Sequence, residues 1–94
     1  MSIDWKRALM TLKVKPWEKL SRKEINDIFS LRSEVFIVEQ ECAYQDVDGK
    51  DEKADHVLLH VNNELVGYAR VFSKNTYFKE ASFGRAVVKK KDRG

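Results

Sequence analysis

From Thr11 the chain alternates apolar and charged positions, Thr11-Leu12-Lys13-Val14-Lys15, the period of a half-buried strand, and Pro16 ends it. Signals of a helix start follow at once. Ser21 as N-cap with Glu24 three residues later forms a capping box, and Leu20 with Ile25 forms the matching hydrophobic staple. Ile25, Ile28, Phe29, Val35 and Phe36 then recur at helical spacing, which predicts a helix from about Arg22 to Phe36. Arg32 falls on that apolar stripe, where an arginine snorkels, pairs with a carboxylate or lines a site. Residues 37–55 keep no period, and an ordered loop of that length in a small domain is usually functional or mobile. After it, His56–Val61 reads as a strand, Asn62-Asn63 as a tight hairpin turn, and Glu64–Phe72 as the returning strand with Gly67 in its middle. Ser73–Glu80 is a connector and Ala81–Val88 a further strand. The order strand, helix, strand, strand, strand, without internal repeat, is α+β.

Composition narrows this reading. At 94 residues and 43% hydrophobic, the chain is one small folding unit with a thin core, burying about 65% of its unfolded surface. Its net charge of +3 sits wholly in the last six residues, where Lys89, Lys90, Lys91 and Arg93 face only Asp92. Residues 1–88 are neutral, which excludes a domain that coats nucleic acid through a uniformly basic surface. Within that body the charge is sorted. Residues 34–55 hold eight acids against Lys50 and Lys53, a net of −6, flanked by +4 over residues 1–33 and +2 over residues 56–88. Such a segment reads as a solvated acidic loop or as a site for something positive, an amine or a metal ion. The single Cys42 cannot close an intrachain disulfide. No apolar run approaches the ~20 residues of a membrane helix and no secretory pattern opens the chain, so the default compartment is the cytoplasm. With Met10 as a candidate internal start, residues 1–10 read as a leader or appended segment and 11–94 as the domain.

Three motifs are tempting. Asp46-Val47-Asp48-Gly49 invites a calcium loop, but with Gly49 at the sixth position the first ligand is Tyr44 and the twelfth Asp55, so the register fails. His56 and His60 lie four apart on a strand, without the Glu of a metalloprotease helix, and read as hydrogen-bonded strand histidines. A nucleophile pairing of Cys42 with either histidine needs no particular spacing and stays open. At the end, a strand leading into Lys89-Lys90-Lys91-Asp92-Arg93-Gly94 is how a phosphate-cradling loop begins, though a ragged basic terminus reads the same way.

Blocks along the chain carry a resemblance that no single motif does. Leu31–Gln40, Cys42–Asp51, His56-Val57-Leu58, Glu64–Arg70 and Gly84–Val88, in that order, closely resemble the ElaA-like branch of the GNAT acetyltransferases, with Ala43 where that branch usually has proline. The resemblance implies the N-terminal half of a GNAT fold, acetyl-CoA as cofactor and direct acetyl transfer to a small-molecule or peptide amine. It places Val87 and Val88 where backbone groups pair with the pantetheine arm, and Arg93 and Gly94 at the opening of the diphosphate loop. The backbone amide of Val87 or Val88 is the oxyanion donor it offers. The fourth strand carries no carboxylate, so a general base would come from Glu39, Asp46 or Asp48, whose other reading is pairing with Arg32, Arg70 or Arg85. Arg32, Tyr44 and Arg70 are the candidate substrate-binding residues. No metal, nucleic-acid or membrane partner is implied.

The family pattern continues past the motif that ends at Gly94. Residues 11–94 are therefore expected to be a partial domain that ends inside the diphosphate loop and turns over little on its own. The alternative function is a non-catalytic assembly module that forms a homodimer through the exposed edge of the fourth strand.

Overall fold

Local chemistry and sheet pairing set the elements in turn. The computed structural model describes residues 9–39 (of Glu39 the backbone only), 46–74, 76 and 80–89. Strand β1, Met10–Pro16, leads through a single 3₁₀ turn, Trp17–Lys19, into helix α1, Arg22–Arg32. The capping box is present as read: Ser21 Oγ accepts from Glu24 N–H at 3.0 Å, and Glu24 Oε1 accepts from Ser21 N–H at 2.8 Å. Glu24 also takes Lys15 Nζ at 2.9 Å, which ties the start of α1 to the end of β1.

The helix differs from expectation at its far end. The α-helix stops at Arg32 and continues over Ser33–Glu39 as a π-helix, a rare and wider winding. Leu31, Arg32 and Val35 are all buried, the set that the α-helical stripe through Ile28 already places on one face, so their burial does not itself require the wider winding.

Strands β2, Asp55–Val61, β3, Glu64–Phe72, and β4, Ser82–Val88, follow as expected within a residue, and the sheet order is β1-β2-β3-β4, all antiparallel. The fold is thus α+β. Asn62 and Asn63, at φ 51° and 67°, make the two-residue turn between β2 and β3 in the left-handed region that asparagine tolerates. A bulge in β3 opposite Leu59–His60 brings Gly67 against Leu59, where a Cβ would stand 3.3 Å from two Leu59 atoms. Only glycine fits there without displacement.

Ile28, Leu31 and Val35 pack on Leu58, Leu65, Tyr68 and Val87 to form the core on one face of the sheet. The register Leu12–Leu59–Gly67–Val88 defines the opposite face, on which Leu12 is 67% exposed, Val14 63% and Phe83 75%. Among the described residues no helix is long and apolar enough to cross a membrane.

Truncating Leu58, which is wholly buried, to alanine is expected to cost about 2–5 kcal/mol, whereas Ser21→Ala, which removes only the cap, costs about 1 kcal/mol. Urea unfolding checks the contrast, with the denaturant slope unchanged in both variants.

Candidate functional site

Six charged side chains close on one another beneath the end of α1. Arg32 ends that helix, Arg70 lies on β3 and Arg85 on β4, while Asp46, Asp48 and Asp51 come from the segment between helix and sheet. Asp51 Oδ1 takes Arg32 Nη1 at 2.8 Å and Arg70 Nη1 at 3.1 Å. Asp48 takes Arg70 Nη2 at 2.6 Å and Arg85 Nη2 at 3.3 Å. Asp46 lies 3.1 Å from Arg85 Nε and 3.0 Å from Arg32 Nε, ion pairs in which neither Nε–H is aimed for a hydrogen bond, and these close the circuit of charge. Every carboxylate thus stands between two guanidinium groups and every guanidinium between two carboxylates. The set is neutral. Arg32 is 0% exposed, and a lone cation there would be untenable without such partners.

The loop is shaped to deliver these carboxylates. Gly49 adopts φ 79°, and Asp48 Oδ1 accepts the Lys50 N–H at 3.1 Å, an Asx-type turn. A 3₁₀ turn over Asp51–Lys53 follows and carries Asp51 inward. Two hydrogen bonds to the Asp46 carbonyl, from Arg32 at 2.7 Å and Arg85 at 3.3 Å, fix the other end. The Arg70 hydrogen bond, against partial burial and with help from Lys50 N–H, holds the Asp48 carboxyl far below the usual range. Burial opposes the charge of Arg32, but the Asp51 hydrogen bond and the two carboxylates outweigh it and raise its pKa.

A neutral pair supports the ring from the sheet. His56 Nε2 donates to the Asp51 carbonyl at 2.8 Å, because a carbonyl can only accept, so Nδ1 of the neutral ring accepts from Tyr68 Oη at 2.6 Å. Burial pushes the His56 pKa down and the Tyr68 pKa up. The Tyr68 ring lies 5.8 Å from the Arg32 guanidinium, and Phe29 flanks the same cation at 5.1 Å.

Among the described residues β4 is the last strand of the sheet, with no strand paired to its outer side. Gly84 pairs with Arg70 and Val87 with Tyr68, so Arg85 and Ala86 together face Ala69 in a β-bulge. Lys89 N–H donates to Val66 carbonyl at 2.8 Å, toward β3, and backbone groups alternate along a strand, so the N–H and C=O of Val88 face away from the sheet. An apolar groove of about 440 Å³ runs beside them, lined by Val35, Val57, Leu59, Ala86, Val87 and Val88.

The residues singled out from the sequence therefore fall in three places. Arg32, Arg70, Asp46 and Asp48 meet in the ring, with the pairing foreseen for the two carboxylates. On β4 only Val88 turns its backbone groups outward, and those of Val87, expected to face the same way, are committed to Tyr68. Tyr44, Cys42, Arg93 and Gly94 lie outside the described residues, and Glu39 ends the π-helix with its side chain likewise outside them. The acidic segment is neither a solvated loop nor a free cation trap at positions 46, 48 and 51, because three arginines from outside it face those carboxylates. Among the described residues no cluster could hold a metal ion. Asp51, His56 and Tyr68 were not anticipated as parts of the site. A usable signal existed: positions 56, 68 and 70 are polar on the strand face that the helix must cover, and buried polar groups demand partners.

A helix laid across an antiparallel meander of four strands matches the fold of solved acyl-CoA N-acyltransferases of the GNAT class. The structure of one such enzyme from Pseudomonas aeruginosa matches with a TM-score of 0.86 and 32% identity, over 92% of this chain and 60% of that one. That of Escherichia coli ElaA matches with 0.85 and 34%, over the same shares. No family model matches the sequence. Among curated proteins, the UPF0039 protein sll0451 of Synechocystis is 40% identical over 82 residues, 83% of this chain and 53% of the relative. Protein ElaA of Escherichia coli is 40% identical over 78 residues, 81% and 51%. The chain belongs to the ElaA-like branch of the GNAT acyltransferases, and spans about half the length of the curated relatives it matches.

Acid is expected to weaken the fold in two stages. The folded state keeps His56 neutral while the unfolded imidazole titrates near pH 6.5, so the unfolded chain binds more protons below that pH and stability falls as the pH drops through about 6.5. Asp48 adds a second loss below about pH 4, where the unfolded carboxyl takes up its proton first. Unfolding free energies measured from pH 8 to 3 check both stages, and His56→Gln should flatten most of the upper one, leaving the smaller share of His60, whose pKa burial and Lys13 also lower.

Proposed function

We propose that this chain contributes to an acyl-CoA-dependent N-acyltransferase, with acetyl-CoA as donor and an amine on a small molecule or peptide as acceptor. The observation that carries the reading is the open edge of β4 at Val88 beside an apolar groove. An extended arm bearing amide groups fits such an edge as an added strand would, with its methylene segments on the apolar wall. Acetyl-CoA supplies, when bound, a thioester carbonyl open to attack by an amine. The protein's part is to hold that carbonyl by the outward backbone N–H of Val88, since that of Val87 points to β3. It also excludes water and takes the proton that the amine loses, which balances the thiolate released.

Asp48 stays ionised but is held so far below neutral that it makes a poor base, and Asp46 is likewise occupied by two arginines. Both are assigned the role of shaping the loop. Glu39, at the end of the π-helical segment, is the base this chain offers, directly or through water. Arg32 and Arg70 are too buried to meet an acceptor at their guanidinium groups and act from behind it, with Tyr44 as the candidate that contacts it. Arg93 and Gly94 are proposed to receive the diphosphate. Val88 also makes the edge a template for a second copy of the chain, and a partner strand there would compete with the cofactor for the same groups.

Calorimetric titration with acetyl-CoA tests the reading. Saturable binding is expected, and Val88→Pro should weaken it about tenfold by removing the outward N–H, while an edge strand tolerates proline and the unfolding midpoint changes little. Absence of binding by the unaltered chain, or equal binding by the variant, contradicts it.

A further inference from the structure

We propose that Arg85 is a positioning residue: its side chain, held by Asp46 and Asp48, fixes the register of β4 and so selects which residue presents its backbone to the open edge. The inference rests on the function proposed for that edge and adds the device that sets it.

Two observations meet at this residue. Arg85 has φ 52°, a left-handed conformation that a long side chain adopts only when its surroundings impose it. Its guanidinium stands 3.1 Å from Asp46 Oδ1 and 3.3 Å from Asp48 Oδ2, and no regular strand would turn residue 85 to that face, since its neighbour Gly84 already occupies it opposite Arg70. The bulge is what the ion pairs require, and the ion pairs offset the strain of the bulge.

The consequence lies downstream. In the observed register Val87 pairs with Tyr68 and is buried in the core, and Val88 pairs with Gly67 with its N–H and C=O outward. Were Arg85 to relax into an ordinary strand, Ala86 would pair with Tyr68 and Val87 with Gly67. A one-residue slip exchanges both the faces and the edges of every following position. Val88 would then turn its backbone groups toward β3 and the core would lose the Val87 side chain. Regular pairing alone favours the slipped ladder, so the choice is made by charge and not by the sheet.

Three variants test this. In nuclear magnetic resonance spectra Arg85→Ala and Arg85→Gly, both without the ion pairs, should exchange the Tyr68–Val87 cross-strand contact for Tyr68–Ala86 and lose about tenfold in acetyl-CoA affinity. Arg85→Lys, which cannot span both carboxylates, should show less of the exchange. Arg85→Gly adopts positive φ freely and so separates charge from strain: native pairing in it, or in Arg85→Ala, would overturn the proposal. If both fail to fold, Arg85→Lys decides, with partial exchange supporting the proposal and wholly native pairing overturning it. If the unaltered chain binds no acetyl-CoA, the function proposed for the edge fails, while the spectra still decide the register.

Discussion

The closed ring of three arginines and three aspartates is the constraint on which the rest of this molecule depends. Each of its charges would be prohibitive alone in the interior, and pairing two of them would only exchange one desolvation cost for another. Alternation around a circuit removes the difficulty, because every group has an opposite charge on both sides. The ring also spans the chain. It joins the end of α1, the loop of residues 46–51, β3 and β4, so four segments far apart in sequence cannot be placed independently. Its contribution is better understood as specificity of arrangement than as net stability, since apolar groups of similar shape could fill the same space.

What the ring arranges is the open strand. The loop carboxylates capture Arg85, Arg85 holds the bulge, and the bulge brings Val87 inward and leaves the Val88 backbone facing out. His56 and Tyr68 brace the same structure from beneath through the Asp51 carbonyl. The acidic character of the loop, which looks in isolation like a lure for cations, is thus largely spent inside the protein. Any preference for a charged acceptor must come from groups outside the ring.

Much of this was legible where the determinants are local. Ser21 and Glu24, three residues apart, announce the helix; Asn62-Asn63 announce the hairpin; alternation in residues 11–15 and 64–72 announces strands. The quoted sequence blocks also carried the family. The bulge was not legible, because nothing within Ser82–Val88 says that residue 85 answers to aspartates 37 and 39 positions earlier. The π-helical turn was not legible either: Ile28, Leu31, Arg32 and Val35 keep ordinary α-helical spacing, which carries no mark of a wider winding. Asp51 looked like one more acid in a polar stretch until two arginines converged on a single oxygen.

The most direct test of the ring as one unit is a double-mutant cycle between its opposite corners, Asp51 and Arg85, which do not pair with each other. Urea unfolding of Asp51→Asn, Arg85→Met and the combined variant at neutral pH yields the coupling. If the six charges act together, the first substitution already loosens what the second removes, and the losses should fall short of additive by about 1 kcal/mol or more. Losses that add to within about 0.5 kcal/mol would show independent ion pairs and contradict the account.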